Sequence, residues 1–341
     1  MGRGFLPLIV VGLAAGVLGI ALVGVAVLPP RKAPKPQEPA AEPARHAVED
    51  APPEPGDLEI DPKLIQYRQT AEIATGLHEV HALAVGPDDQ VSVGGDRVIR
   101  RYGADGKQQS EIALDAAARC LAIGGRDHVS PGRIYVGMDE HVEVFDSKGV
   151  RMAPWKTLGD KAAVTSIAVA ERKLFVADAG NRVVWCYNAS GEVENRIGDA
   201  SPSRQVPGFQ ITSRYFDLAL GNDDLVYVVN PRALRLEGYT FQGDLEVHWG
   251  KGSPAVDGFF GCCNPVHVAV LPNGSFVTAE KGIPRIKVYS PDGTFDCVVA
   301  GPRQMPVVAA DLATDHRGRI LVLDPSTSNV RIFERSEHHG R

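Results

Sequence analysis

The chain is short of the residues and motifs that mark several common protein classes. Cysteine occurs five times in 341 residues, too few for a disulfide-dense secreted scaffold. The formal net charge of −6 argues against a broad basic surface for nucleic acid. The sequence has no GxSxG nucleophile elbow, no HExxH zinc motif, no P-loop and no GxGxxG after a strand. Common hydrolase, nucleotide-hydrolysing and dinucleotide-binding classes therefore have no motif to support them.

A long apolar run occurs only at the N-terminus. Residues 5–28 carry no charge, and as a helix they would be about 36 Å long, enough to cross a hydrocarbon core of about 30 Å. The alternative is a cleaved signal peptide, with cleavage after Ala26 two residues beyond Gly24. The run exceeds the length of a typical signal-peptide core, so we predict a transmembrane signal anchor over 5–28.

The orientation of that anchor is ambiguous in the sequence. Arg3 precedes the span, whereas Arg31, Lys32 and Lys35 follow it, and the positive-inside rule would place the following side in the cytoplasm. A short N-terminus, one span, a linker and a large domain more often export the large domain. We expect a single-pass membrane protein with an extracytoplasmic domain, against the flanking charges.

A proline-rich segment separates the apolar run from the rest of the chain. Nine of the 25 prolines lie between residues 29 and 55, and large apolar residues are scarce there. Such a segment cannot bury enough surface to offset the entropy of ordering. We predict a disordered, Pro/Ala/Glu-rich linker over 29–56, a folded domain over 57–335, and a tail over 336–341.

Residues 57–335 repeat with a period of 42 to 52 residues. Each unit contains an apolar strand, a turn, a second strand and a third strand that ends in an aromatic residue. These aromatic residues are Tyr102, Phe145, Tyr187, Tyr239, Tyr289 and Phe333. Several short strands per unit at this spacing are typical of a β-propeller. The sequence therefore predicts an all-β fold, a six-bladed β-propeller of four-stranded blades, preceded by one transmembrane helix.

Turn glycines and one unmatched strand make the repeat more specific. In the first five units a glycine follows the aromatic residue by four positions. These glycines are Gly106, Gly149, Gly191, Gly243 and Gly293. The sixth unit has no fourth strand, and segment 64–75 is a strand candidate without a unit of its own. We predict that 64–75 completes the last blade and closes the ring, which removes open sheet edges.

Three segments of the repeat resemble a known family. Residues 176–193, VADAGNRVVWCYNASGEV, resemble an NHL repeat, as do 321–333 and, with Glu in place of Asp, 277–293. Units one and two are degenerate. The resemblance covers most of the chain and implies a six-bladed propeller. For function it implies only a broad family of binding modules, scaffolds, lactonase-like hydrolases and amidating lyases.

The resemblance also implies that the first residues of the six innermost strands lie near the channel mouth. In chain order these are Ala82, Cys120, Ser166, Asp217, His267 and Asp311. Three neighbouring blades thus offer Asp217, His267 and Asp311, which can ligate a divalent metal or perform acid–base chemistry. The alternative is that these groups line a wet channel and accept backbone N–H hydrogen bonds.

Other polar residues of the repeat favour a structural role. Asp and Asn recur after the second strands, where they can hydrogen-bond their own turns. This set comprises Asp139, Asp178, Asn230, Glu280 and Asp324. Arg214 differs because it lies in an irregular insertion, 199–214, where it is a candidate anion ligand.

The segment FFGCCNPVH (259–267) contains adjacent cysteines ahead of the fifth unit. Cys262 and Cys263 can form a vicinal disulfide, pair elsewhere (with Cys120 or Cys297), or remain inert thiols. One thiolate can also meet His267 at a metal. The sequence leaves these alternatives open.

Taken together, these features favour a membrane-anchored binding or scaffold propeller that recognises a protein, peptide or small ligand on its rim. The alternative is a metal-dependent or redox enzyme, hydrolase- or lyase-like, with its site at the channel mouth. No cofactor is predicted apart from the divalent metal of that alternative, and no nucleic acid partner is expected. The sequence identifies no substrate.

Overall fold

The computed structural model describes residue 56 and residues 59–336, and almost all of their regular structure is β-strand. Short 3-10 helices include Pro62–Leu64, Pro202–Arg204 and Pro231–Ala233. Within these residues no helix has the length and apolar character needed to cross a membrane. The predicted span at 5–28 and almost all of the predicted linker lie outside the described residues.

The strands form six blades. Strands are numbered in chain order, and the lowest-numbered strand of each blade is the innermost one, except in blade six, where β1 is the outermost. The first strand of the chain, β1, covers Tyr67–Ala74. Blade one contains β2 (Ala82–Val85), β3 (Val91–Gly95), β4 (Val98–Tyr102) and β5 (Gln108–Ala113). Blade two contains β6 (Cys120–Ile123), β7 (Ile134–Gly137) and β8 (Val142–Phe145). Blade three contains β9 (Val164–Val169), β10 (Lys173–Asp178), β11 (Val183–Asn188) and β12 (Val193–Ile197).

The second half of the chain repeats the same antiparallel order. Blade four contains β13 (Leu218–Leu220), β14 (Val226–Asn230), β15 (Arg235–Tyr239) and β16 (Leu245–Trp249). Blade five contains β17 (His267–Val270), β18 (Phe276–Ala279), β19 (Ile286–Tyr289) and β20 (Phe295–Ala300). Blade six contains β21 (Asp311–Thr314), β22 (Ile320–Asp324), β23 (Asn329–Arg335) and, as its outer strand, β1.

Ring closure follows the prediction from the sequence. Strand β1 pairs antiparallel with β23 from Tyr67 opposite Arg335 to Ala74 opposite Asn329. The innermost strands of neighbouring blades contact one another around the whole ring, including β21 with β2. The six-bladed all-β propeller is therefore confirmed. Strand β1, the first strand that the structure describes, closes the ring by joining the last blade.

Blade two departs from the predicted four strands. Its outer segment runs beside β8 and is held by three backbone hydrogen bonds of 2.8–3.0 Å. The N–H of Met152 donates to Val144 O, that of Trp155 to Val142 O, and that of Leu158 to Glu140 O. A pleated strand would pair at every second residue, whereas these bonds recur at every third. Proline at position 154 has no N–H to donate, so a regular ladder cannot form.

The core lies between blades. One cluster joins Ala82 and Ile99 of blade one to Leu121 and Val136 of blade two, all fully or nearly buried. Burying such aliphatic side chains stabilises the fold by about 1.5–3 kcal/mol each. Since every blade packs on two neighbours, no blade can bury its faces alone.

The predicted turn glycines have the expected backbone. All five have positive φ values, between 75° for Gly106 and 88° for Gly243. An L-residue pays about 1–2 kcal/mol in this conformation, which explains why glycine recurs there.

Candidate functional site

Three side chains from blades four, five and six meet at one end of the channel. Asp217, His267 and Asp311 each present one ligand atom within 4.8 Å of the others. Asp217 immediately precedes β13, while His267 and Asp311 begin β17 and β21. The sequence-predicted trio is therefore brought together by the equivalent position of each residue in its blade.

Both carboxylates link their own blade to the next one. Asp217 accepts the N–H of Leu218 at 2.8 Å and that of Val268, in blade five, at 3.0 Å. Asp311 accepts the N–H of Leu312 at 2.8 Å and that of Leu83, in blade one, at 2.7 Å. These bonds satisfy backbone donors that face the channel, and they leave further lone pairs on each carboxylate.

His267 lies between the two carboxylates. Its Nδ1 is 3.2 Å from Asp217 Oδ2 and 4.0 Å from Asp311 Oδ1. Burial lowers the pKa of His267, but the hydrogen bond to Asp217 and the charges of both carboxylates outweigh it, so that its pKa is raised. This environment favours a cation between the two aspartates.

Burial raises the pKa of both Asp311 and Cys120. Burial raises the pKa of Asp311 to about 7, with the charge of Asp217 adding to the rise and that of His267 opposing it. Burial, together with the charges of Asp311 and Asp217, raises the pKa of the Cys120 thiol well above its ordinary value. Cys120 is therefore a neutral neighbour of the trio at physiological pH.

Two cavities are lined by members of this trio. The channel cavity, about 340 Å³, is lined by backbone and side chains of the innermost strands and includes Asp217 and Asp311. The mouth cavity, about 350 Å³, is lined by Arg119, Arg214, Tyr215 and His267 together with apolar residues. The acidic side chains thus line the channel, whereas basic side chains line the mouth.

Two arginines of the mouth share one carboxylate. Arg119 donates to Asp139 from Nε at 3.1 Å and from Nη2 at 3.0 Å. Arg214 donates to the same carboxylate from Nη1 at 2.7 Å, and its side chain is 59% exposed. Both arginines lower the pKa of Asp139, with the Arg119 hydrogen bond the larger cause. One negative charge is thus opposed by two guanidinium charges.

An aromatic ring joins this basic rim to His267. Tyr215 meets His267 edge to face, with ring centroids 6.3 Å apart and planes at 86°. Lys281 Nζ lies 5.0 Å from the centroid of the Tyr215 ring. Tyr215 therefore forms a wall between a lysine and the histidine.

The adjacent cysteines are free thiols in this structure, as are the other three cysteines. Cys262 Sγ is 3.1 Å from Cys263 Sγ, and Cys263 Sγ is 3.4 Å from Thr212 Oγ1. Disulfides to Cys120 or Cys297 are absent, and within the described residues the three-ligand group at His267 contains neither Cys262 nor Cys263. The prediction that a thiolate meets His267 at a metal is therefore not supported.

The recurring polar residues after the second strands have structural partners. Asp178 accepts the N–H groups of Ala163, Gly180 and Asn181 at 2.9–3.1 Å. Glu280 accepts the N–H of Phe260 at 3.0 Å. Asp139 is the member of this set that instead faces the mouth.

Sequence reasoning identified Arg214 but missed Arg119 and Tyr215, which line the mouth, and Lys281, which lies over the Tyr215 ring. Arg119 precedes β6 by one residue, and Tyr215 lies immediately after the 199–214 insertion. Lys281 follows the recurring Glu280. A signal for Arg119 was available, because a residue just before an innermost strand lies at the same rim as the insertion.

The comparisons with known proteins support the fold. No family model matches the chain, and no curated protein matches its sequence. Among solved structures, the WD40 β-propeller domain of Doa1 is 16% identical with a TM-score of 0.52, covering 76% of this chain and 79% of that one.

Two lyase structures are similar to a comparable degree. Virginiamycin B lyase from Staphylococcus aureus is 12% identical with a TM-score of 0.55, covering 78% of this chain and 99% of that chain. A streptogramin B lyase is also 12% identical with a TM-score of 0.55, covering 79% and 98%. At these identities the likeness concerns the propeller fold alone, and membership of the NHL family stays a prediction.

Proposed function

We propose that the protein is a ligand-binding propeller whose mouth cavity binds a small organic anion with an apolar body. The observation that carries the proposal is the convergence of Arg119, Arg214 and His267 on one cavity. Side chains from blades two and five and from the segment before blade four contribute, so the site depends on the closed ring.

The charge of the mouth favours an acidic ligand. Within the described residues Arg214 hydrogen-bonds through Nη1 alone, so Nε and Nη2 are available as donors. A planar guanidinium binds a carboxylate or phosphate through two parallel hydrogen bonds. Asp139 offsets one of the two arginine charges, so one positive charge remains at the rim for an anion.

The remaining wall favours an apolar body. It is formed by the Tyr215 ring, by Thr165, whose hydroxyl donates to Phe216 O, and by small or aliphatic residues. These are Val164, Val308, Ala309, Ala310 and Pro325. A cavity of about 350 Å³ is within the lower range of small-molecule pockets. An aromatic or short-chain acid has both the size and the polarity that this wall can accept.

The first test compares benzoate and phenyl phosphate with the neutral isostere benzamide in a thermal-shift assay. We expect both anions to bind with millimolar dissociation constants, which correspond to a binding free energy of about −4 kcal/mol, and so to raise the melting temperature. We expect benzamide to have no effect. Equal shifts for benzoate and benzamide would contradict recognition of the charge.

A matched pair of variants locates the binding. Arg214→Gln removes a mouth guanidinium, and Arg196→Gln removes an exposed guanidinium of β12 that pairs with Asp199. We expect benzoate binding to weaken about tenfold in Arg214→Gln and to be unchanged in Arg196→Gln, in keeping with the energy of a charged hydrogen bond. An equal loss of benzoate affinity in both variants would indicate that only the net charge of the protein matters, and would contradict binding at the mouth.

The alternative function is a metal-dependent enzyme, and the trio of Asp217, His267 and Asp311 is the observation that favours it. Two carboxylates and one imidazole suit Mn²⁺ or Zn²⁺. Equilibrium dialysis against each ion separates this alternative from simple ligand binding. It predicts one ion per chain, lost in His267→Gln and retained in His316→Gln, a variant of the exposed histidine that pairs with Asp89. If the wild-type protein binds neither ion, the metal alternative is wrong.

Membrane attachment through 5–28 completes the proposal. The apolar length of that segment and the proline-rich linker after it support a propeller held away from a bilayer. Fractionation of the full chain with alkaline carbonate tests it: an anchored chain stays in the membrane pellet, whereas a chain cleaved after Ala26 is released.

A further inference from the structure

The adjacent cysteines differ from the other three in accessibility. Cys262 is partly exposed, whereas Cys263, Cys120, Cys186 and Cys297 are buried. The sulfur atoms of Cys262 and Cys263 are 3.1 Å apart. One reagent-accessible thiol is therefore in contact with a second thiol that is shielded from solvent.

The loop that carries this pair is fixed on both sides. The Asn264 side chain donates to Phe260 O and, at 2.9 Å, to Lys281 O, and it accepts the Lys281 N–H at 2.8 Å. Phe260 N–H donates to the fully buried carboxylate of Glu280 at 3.0 Å. These contacts hold the loop in place while the two sulfurs are hydrogen-bonded but not covalently joined.

Covalent geometry determines what such a pair can do. Neighbouring Cα atoms are about 3.8 Å apart, whereas ordinary disulfides join Cα atoms about 4.4–6.8 Å apart. A disulfide between adjacent residues is therefore strained, and strained disulfides are reduced more easily than structural ones. The pair is suited to reversible oxidation and poorly suited to permanent cross-linking.

We propose that Cys262 and Cys263 form a redox-active vicinal dithiol that exchanges with small-molecule disulfides such as oxidised glutathione. The Cys262 thiolate attacks the glutathione S–S bond, forms a mixed disulfide and releases one glutathione thiolate. The Cys263 thiolate then attacks the Cys262 sulfur and releases the second glutathione. Two protein thiols lose two electrons and two protons, and one glutathione disulfide is reduced to two thiols.

The site is chemically distinct from the mouth but lies beside it. Cys263 Sγ contacts Thr212 Oγ1. The hydrogen bond with Cys263 and burial raise the pKa of Cys262, whereas the charge of Lys281, which lies over the Tyr215 ring, opposes this rise. Closing the bond would bring the sulfurs from 3.1 Å to about 2.05 Å, a movement of about 1 Å next to this wall. The proposal does not depend on ligand binding at the mouth.

The test is peptide mapping of the full chain after equilibration with graded ratios of reduced and oxidised glutathione. Cleavage at Lys251 and Lys281 yields a peptide, 252–281, that contains both cysteines and no others. We expect this peptide to lose two hydrogen atoms as the buffer becomes oxidising, and dithiothreitol to restore them. Cys263→Ser should instead retain one glutathione on Cys262, and the core variant Cys186→Ser should behave as the wild type.

Three results would overturn the proposal. The peptide keeps both thiols at every ratio, or it accumulates glutathione without closing, or it closes in the most reducing buffer and resists dithiothreitol. The last result would define a structural disulfide. Each readout is the mass of one peptide, so a failure of the mouth to bind anions leaves the interpretation unchanged.

Discussion

Individual residues show how this propeller tolerates charge in its interior. Glu280 accepts hydrogen bonds from Phe260 N–H and from Arg285 Nη2 at 2.9 Å, and its Oε1 is 2.7 Å from Lys287 Nζ. All three charged side chains are 2% exposed or less. Burial lowers the pKa of Lys287 to about 8, against the charge of Glu280. One carboxylate therefore pairs with both basic side chains, whose Nη2 and Nζ atoms also donate to Gly258 O.

Removal of that carboxylate should be far more harmful than removal of one cation. Glu280→Gln leaves two buried charges without a counterion, and we expect a loss of about 3–5 kcal/mol in the free energy of unfolding. Lys287→Met keeps an unbranched apolar side chain and leaves Glu280 paired with Arg285. It removes the contact of Lys287 Nζ with the Phe259 ring, so we expect a loss of about 1–2 kcal/mol. Urea unfolding of the two variants measures the difference, and equal losses would refute the account of the cluster.

The Asp311 carboxyl makes stability depend on pH. Its pKa, raised by burial to about 7, exceeds that of the unfolded chain, so the folded state binds the proton more tightly. Its contribution is present at low pH and is lost as the pH rises from about 4 to about 7. The raised pKa of His267 acts in the same direction. The groups that face Asp311 are His267, Asp217 and the Cys120 thiol.

We therefore expect Asp311→Asn to flatten the pH profile of stability. In EDTA the wild type should lose up to about 1.4 kcal/mol per pH unit from this group between pH 5.5 and 7, and the variant should not. Asp292→Asn, in an exposed turn, is the control because hydrogen bonds lower its pKa below that window. Urea unfolding at several pH values checks the slope, and parallel profiles for wild type and Asp311→Asn would contradict the expectation.

The trio was predictable at the residue scale because its members occupy one position of a repeat. The mouth was only partly predictable. Arg119 and Tyr215 precede different blades and are 96 positions apart in sequence, and no repeat relates them. Their meeting depends on the path of the 199–214 insertion, which departs from the repeat. Arg214 was identified because it lies in that irregular insertion.

At the scale of elements, the short apolar segments and the turn-forming residues between them predicted most strands. The innermost strands begin within two residues of the predicted positions, because Gly, Asp and Asn mark their turns. Blade two was mispredicted because the pattern alone did not reveal how the proline at 154 breaks its outer ladder. Trp155 of that outer segment packs between blades two and three, with its ring centroid 5.7 Å from that of Tyr135 and 4.7 Å from that of Tyr187.

The closing strand should be essential to stability. Ile73 of β1 is 4% exposed and packs in a cluster with residues of blades six and one, whereas Arg68 of the same strand is exposed. Ile73→Ser leaves a cavity and buries a hydroxyl, and we expect a loss of about 3–5 kcal/mol. Arg68→Ser should change stability by less than about 0.5 kcal/mol. Chemical denaturation measures the free energy of unfolding of the two variants. An Ile73→Ser variant as stable as the wild type would argue against β1 as the closing element.

At the scale of the whole molecule, the closed ring creates the site. Six blades bring the first residues of their innermost strands to one end of a channel, and this end carries acidic groups inside and basic groups outside. Repetition predicted the ring and the trio. The polarity of the mouth results from residues outside the repeat, and for that reason the sequence did not reveal the ligand class.

Titration calorimetry of the wild-type protein with benzoate and then with benzamide tests the central claim, recognition of a small anion at the mouth, most directly. We predict one benzoate bound per chain, with affinity reduced about tenfold in Arg214→Gln, and no heat of binding for benzamide. Absence of benzoate binding, or binding that Arg214→Gln leaves unchanged, would contradict the account.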